Sequence, residues 1–235
     1  MTHFVQVAVN TPFNDSILTY LSESPYQRGQ LVEVPLGRRK TKGCILKELS
    51  QSEVEKLGLQ VDKLKYLGSH LTDKIALDEQ LLTFFDWISR YYHYPLGQLI
   101  FDTLPKILKR PRKLKFQEGE DEELDFRYTY EQEMALAELE TKIHQGFSKT
   151  LLHGVTGSGK TIVYLKAMKE VLKAGKSVLF LLPEINLTPQ FVETFRKYLD
   201  APIYSYHSSV SQSDKFGLWA LLQSNDSPKV IIGVR

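Results

Sequence analysis

Apolar residues change their period along this chain. Over Phe4–Val9, Leu31–Pro35 and Gly43–Leu49 they form short, β-branched runs bounded by Gly, Pro or charged residues, which predicts strands. Leu77, Leu81, Phe84, Phe85, Ile88, Tyr91 and Tyr92 then recur at helical spacing and predict one amphipathic helix on that small sheet. Aromatic residues at this spacing belong in a core, so Tyr91, Tyr92 and Tyr94 are assigned there, with His93 as a polar edge residue beside them. From Lys149 onward, strand and helix alternate. Strands are predicted over Lys149–His153, Val178–Leu182, Ile203–Tyr206 and Val230–Val234. Helices are predicted over Lys160–Ala174, ended by Gly175, over Thr188–Leu199 with Pro189 in its first turn, and over Ser211–Gln223 behind the capping pair Ser211 and Asp214. Phe191, Val192, Phe195, Tyr198 and Leu199 share one stripe of the second helix and read as structural. The alternation is that of a parallel α/β sheet following a smaller β-rich region, with no internal repeat.

Composition changes this picture little. With 235 residues, two domains are expected, and 42% hydrophobic with 25% charged residues excludes a disordered, collagen-like or coiled-coil chain. No apolar run approaches the roughly 18 residues that span a bilayer, and Met1–Asn10 lacks the features of a signal peptide, so a soluble, cytoplasmic chain is expected. Cys44 is the only cysteine, which excludes an internal disulfide and a zinc site built from several thiolates.

Charge divides the chain more sharply than composition does. The formal net charge of +2 separates into +5 up to Gln117, −6 over Glu118–Phe126 and +3 from Arg127 onward. Glu118-Gly119-Glu120-Asp121-Glu122-Glu123 repels itself and offers little to bury, so it reads as a solvated linker. The expected division is residues 1–108, a charged linker over 109–127, and 128–235. Lys106–Lys115 is the densest basic run, either a phosphate-binding edge or a solvated part of that linker.

One motif carries chemistry. Gly154-Val155-Thr156-Gly157-Ser158-Gly159-Lys160-Thr161 fits the phosphate-binding loop pattern between a predicted strand and a predicted helix. Its glycines let backbone N–H groups turn toward phosphate oxygens, and the helix N-terminus adds a favourable field. Lys160 is placed to reach the β- and γ-phosphates of a nucleotide, and the Thr161 hydroxyl to hold magnesium. A loop of this kind serves small-molecule kinases, GTPases, transporter ATPases and helicases alike.

The neighbouring residues discriminate. Pro183-Glu184-Ile185-Asn186-Leu187-Thr188-Pro189-Gln190 follows the second strand of the alternating region, and Gln132 stands upstream of the loop in Tyr128-Thr129-Tyr130-Glu131-Gln132. Here the sequence resembles superfamily 2 helicases, and within them the bacterial replication-restart helicases of the primosome. His207-Ser208 and Ile231-Ile232-Gly233-Val234-Arg235 extend the likeness, as do Val32–Gly37 and Tyr91–Gly97 in the first region. The resemblance implies a β-rich N-terminal domain that binds a 3′ end at a fork, then a P-loop (RecA-like) helicase lobe. It implies ATP with Mg as cofactor, adenine read by Gln132, and DNA contacts from Gly37, Glu184, Thr188, Gln190, His207 and Arg235. ATP-driven 3′-to-5′ unwinding of DNA is the implied activity. Branched, forked and single-stranded DNA, other primosome proteins and single-strand-binding protein are the implied partners, with no membrane and a nucleoid-associated cytoplasmic location.

The sequence departs from that family at several points. Where the family's 3′-end pocket has a Phe-Asp pair before a Tyr, this chain has Leu18, Thr19 and Tyr20, and Lys106–Arg127 is too short for a winged-helix module. Asp121-Glu122-Glu123-Leu124 looks like part of the acidic hydrolysis motif but precedes the phosphate loop, and Glu184 falls in the DNA-side segment. The family's zinc cysteines are missing, and the chain ends at Arg235 before any later acidic motif or second lobe. The expectation is therefore an incomplete first lobe that binds Mg-ATP and DNA with little or no hydrolysis. The alternative reading is a fork-DNA-binding or regulatory module that never hydrolyses nucleotide.

Overall fold

In the computed structural model, the described residues are 2–13, 15–72, 75–107, 114, 116, 118–123, 125–184, 188–224 and 227–234. Two compact units result, one of Met1–Arg112 with Gln212–Gln223 and one of Lys113–Ser211 with Ser224–Arg235. No described helix is long and apolar enough to cross a membrane.

The first unit is built on an antiparallel sheet. Strands β1 (His3–Val9), β2 (Ile17–Ser22), β3 (Leu31–Leu36) and β4 (Arg39–Leu49) lie in the order β2-β1-β4-β3. A register shift between Gln6 and Val7 bends β1 against the long β4. Alternation along the strands sends Val5, Val7, Val9, Val32, Val34 and Ile45 into one cluster with Tyr20. Ala8, Leu31 and Cys44 face the other way. The short helix α1 (Gln51–Lys56), opened by a Ser50–Glu53 capping box, packs Val54 against Phe4, Leu21 and Leu49. Helices α2 (Glu79–Tyr92) and α3 (Leu96–Thr103) then cover the face of Ala8, Leu31 and Cys44 with Leu82, Phe85, Leu96 and Ile100.

The aromatic assignment is corrected here. Phe85 is in the core, but Tyr91 and Tyr92 are 65% and 66% exposed, and Tyr94 is also exposed. Phe84, Trp87 and Tyr91 stack successively along the outer side of α2. A helix on a four-stranded sheet buries only one stripe, and Leu82 and Phe85 already fill it.

Cys44 is buried, and desolvation pushes its thiol up to about 12, with the field of Arg28 acting in the opposite sense. The native chain is expected to resist a disulfide-exchanging thiol reagent at pH 8 and to release one thiol per chain in denaturant. Prompt reaction in native buffer would mean that α2 and α3 open from the sheet.

Beyond the first sheet the chain runs through α4 (Tyr130–Ile143), α5 (Lys160–Lys173), β5 (Val178–Leu182), α6 (Thr188–Tyr198), β6 (Ile203–Tyr206), α7 (Gln212–Ser224) and β7 (Val230–Val234). All of these but α7 build the second unit. Its parallel sheet has the order β5-β7-β6, with Val178 and Ile203 both in register with Val230. Leu165 and Met168 of α5 and Phe195 and Leu199 of α6 pack on Leu182, Ile203 and Ile232, so the stripe expected for α6 is structural. The fold class is the expected one: an antiparallel β-rich domain, then a parallel α/β unit.

Two expectations fail in this unit. Lys149–His153 is not a strand, and Leu151 is 88% exposed. Among the described residues β5 pairs only with β7, so this segment has no ladder to complete its backbone hydrogen bonds. The acidic segment is not free in solvent either. Glu120, Asp121 and Glu122 pair with Arg196, Lys169 and Lys197. The backbone N–H groups of Glu120 and Glu122 donate to the carbonyls of Arg196 and Lys197 (2.7 and 2.9 Å), which the end of α6 leaves without helical partners. Most of the basic run Lys106–Lys115 lies outside the described residues.

Candidate functional site

The glycine loop joins α4 to α5 through side chains as well as sequence. Thr129 caps α4, and its backbone N–H donates to Gln132 Oε1 at 3.0 Å. The other end of that amide, Gln132 Nε2, donates to the Ser158 carbonyl at 3.1 Å. Gln132 thereby ties the start of α4 to the loop. Gly159 sits at the N-cap of α5 with φ of 79°, a left-handed conformation that requires glycine, and Gln132 Nε2 lies in the space a Cβ would take.

Lys160 is the first residue of α5, and its ammonium folds back on the loop. Nζ donates to the carbonyls of Gly154 (2.6 Å) and Val155 (2.8 Å). A cavity of about 430 Å³ opens beside it, lined by Thr129, Gln132, Leu152, Gly154, Ser158 and Lys160 among others. The lysine cation and the helix N-terminus both favour an anion at this place. Space also exists over the crest, where Val155 is exposed and a Cβ on Gly157 would meet no atom within 4 Å. These residues fit a nucleotide's phosphate chain: a cation held by two carbonyls it can exchange for phosphate oxygens, and a glycine opening the helix. Among the described residues no group of three or more His, Cys, Asp or Glu could hold a metal.

Thr161 faces a second, larger cleft of about 1170 Å³ between α5 and α6, and Gln190 and His207 line the same cleft. The Nδ1 atom of His207 is buried and has no hydrogen-bond partner among the described residues. Glu184 is exposed just beyond β5 and outside this lining. Thr188 opens α6, while Ile185–Leu187 and Arg235 lie outside the described residues.

In the first unit, Gly37 occupies the turn between β3 and β4, with φ of 62°. Lys65 Nζ donates to its carbonyl at 2.7 Å, and Tyr20 on β2 sends its hydroxyl to the Pro35 carbonyl at 3.0 Å. Burial pushes the Tyr20 phenol up to about 12, so it stays a neutral donor. Leu18 and Thr19 are half-buried on the same strand. The Tyr20 hydroxyl and the Lys65 ammonium thus both reach the end of β3 and its turn, and Lys65 is a residue that sequence reasoning missed. Lys65 lies far from Gly37 in the chain, and no motif marks it.

Residues 6–105 match the family model for the 3′DNA-binding domain (3′BD) of PriA. Residues 125–233 match the model for the res subunit of type III restriction enzymes. The replication restart protein PriA of Haemophilus influenzae is 42% identical over 109 residues, which are 46% of this chain and 15% of that protein. The Helicobacter pylori (strain ATCC 700392 / 26695) PriA is 31% identical over 218 residues, 93% of this chain and 32% of that protein. That of Treponema pallidum is 31% identical over 208 residues, 88% of this chain and 31% of that protein. The aligned region spans about a third or less of these relatives.

Proposed function

The chain resembles the PriA replication restart proteins through both of its units, and from that premise we propose that it carries the DNA-binding and first helicase-lobe parts of an ATP-dependent 3′-to-5′ DNA helicase that acts at branched forks. The observation that carries the reading is the loop of Gly154–Thr161 at the head of α5, with Lys160 drawn over it and Gln132 locked to Ser158. Its residues divide the work of nucleotide binding. Lys160 exchanges the carbonyls of Gly154 and Val155 for phosphate oxygens. Thr161 holds the magnesium ion that accompanies the nucleotide, and Gln132 reads adenine once its Nε2 leaves the Ser158 carbonyl. The turn at Gly37, with Lys65 and the Tyr20 hydroxyl beside it, receives a DNA 3′ end, and Gln190 and His207 meet the strand in the second unit. Hydrolysis also needs an acid that positions water and arginines from across the nucleotide, and in this reading the chain alone holds nucleotide with little turnover. In the complete protein, ATP turnover drives unwinding, with single-strand-binding protein and other primosome proteins as partners.

Fluorescence anisotropy with a forked DNA carrying a recessed 3′ end and with a blunt duplex of equal length tests the DNA half of the reading. The fork is expected to bind about tenfold more tightly, and its affinity to fall steeply with salt. Equal affinity for both would remove fork recognition, and a flat salt dependence would remove phosphate contacts.

A further inference from the structure

The acidic segment sits where an anion of another origin could sit. Arg196 reaches Glu120 Oε1 through Nε (3.1 Å) and Nη2 (2.5 Å). Lys169 Nζ meets Asp121 Oδ1 at 2.9 Å and the Glu122 carbonyl at 3.0 Å, and Lys197 Nζ meets Glu122 Oε2 at 3.3 Å. Three consecutive acids therefore cover three cations that come from two different helices, α5 and α6. The side chain of Lys169 is only 15% exposed beneath them, whereas those of Arg196 and Lys197 are about half exposed.

The segment is also anchored at its ends. Phe116 packs on Tyr204 (5.8 Å between ring centroids) and Phe126 on Tyr198 (6.0 Å), so apolar pegs flank the charged middle. Between them Gly119 lies so close to the Leu199 carbonyl that no Cβ would fit. The middle is held by exposed ion pairs, which are weak singly and screened by salt, and by two backbone hydrogen bonds. Such a strap can lift without leaving.

We propose that Lys169, Arg196 and Lys197 form a binding surface for the phosphate backbone of single-stranded nucleic acid, and that Glu120, Asp121 and Glu122 occupy it as a built-in competitor until a strand displaces them. Charge complementarity supports that occupant: three cations from α5 and α6 converge on a row of three acids, as they would on the phosphates of a polyanionic strand. The inference rests on the reading of this chain as DNA-binding, and adds to it three cations, of which Arg196 and Lys197 line the same cleft as Gln190 and His207.

The test uses the full chain and a labelled single-stranded oligonucleotide in anisotropy titrations across a salt series. Glu120→Gln, Asp121→Asn and Glu122→Gln together are expected to tighten binding about tenfold and to steepen the log–log salt slope by about 2, as for three added phosphate contacts. Adding Lys169→Gln, Arg196→Gln and Lys197→Gln removes that gain. A control with the same change of net charge, Glu23→Gln, Glu133→Gln and Glu140→Gln, leaves affinity within about twofold. Hydrogen exchange of the Glu120 and Glu122 amides is expected to speed up when the oligonucleotide binds the unaltered chain. Equal gains in the strap and control variants, or a gain that survives loss of the three cations, would overturn the strap while leaving DNA binding intact. Equal competition by an oligoglutamate peptide of the same charge would overturn nucleic acid as the occupant, and an absence of DNA binding in every variant would overturn both readings.

Discussion

Replacing Lys160 with Ala is expected to weaken Mg-ATP binding by about a hundredfold in a titration with a fluorescent ATP analogue. Two charge-assisted hydrogen bonds to phosphate, at roughly 1.5–3 kcal/mol each, are partly offset because Nζ must first leave the carbonyls of Gly154 and Val155. A net loss near 2.7 kcal/mol is about a hundredfold in affinity. The substitution is not expected to unfold the unit. Lys160 stands at the first position of α5, where the helix field opposes a cation, so its removal costs the helix little, within about 1 kcal/mol. Gln132→Ala is a useful contrast. It removes the amide proposed to read adenine, a neutral hydrogen bond worth about 1 kcal/mol, and should weaken binding only about fivefold. A Lys160→Ala variant that binds within about threefold of the original chain would mean that the ammonium stays on its own carbonyls and never meets phosphate.

The parts of the fold that are legible in the sequence are those whose burial is local. β6 and β7 occur over the expected residues, because each is a short apolar run set off by polar or Pro residues. α5 and α6 end within a residue or so of expectation, since Gly175 and the Phe191–Phe195–Leu199 stripe mark them. Other elements are hidden. α3 contains Gly97, a residue that argues against a helix interior. α4 carries a readable signal, Thr129 followed by Gln132 as a capping box, which an assignment of Gln132 to adenine alone conceals. The Lys149–His153 strand fails for the opposite reason: its residues suit a strand, but a strand exists only beside a partner.

The candidate site follows the same rule. The loop is legible because its residues are contiguous, and so is its dependence on Gly159 and Lys160. The hold of Gln132 on Ser158, the approach of Lys65 to Gly37 and the docking of the acidic segment are not. Charge counting shows that Glu120, Asp121 and Glu122 repel one another, but not that Lys169, Arg196 and Lys197 converge on them. Complementarity across 48 and 76 positions is a property of the fold.

The second large effect concerns stability. In an exposed helix Gly→Ala stabilises by roughly 1 kcal/mol, yet at Gly97 the sign is expected to reverse. A Cβ on Gly97 would run into the Val9 backbone, its carbonyl oxygen first. Val9 cannot move aside cheaply. It ends the inner strand β1, pairs with Gly43 of β4, and its N–H donates to the Ser16 carbonyl at 2.7 Å. Nor can α3 retreat, because Leu96, Ile100 and Leu104 are fixed in the core beneath α2. With backbone against backbone, the strain falls at the upper end for overpacking. Gly97→Ala should cost the first unit about 3 kcal/mol and lower its Tm by roughly 10 °C or more. Fork binding should fall at 37 °C with that unit, while binding of the ATP analogue to the second unit stays within about twofold. Calorimetry that separates the two transitions checks this directly. A Gly97→Ala variant whose Tm is unchanged or raised would mean that α3 rides farther from β1 and that the core of the first unit is looser than its packing indicates.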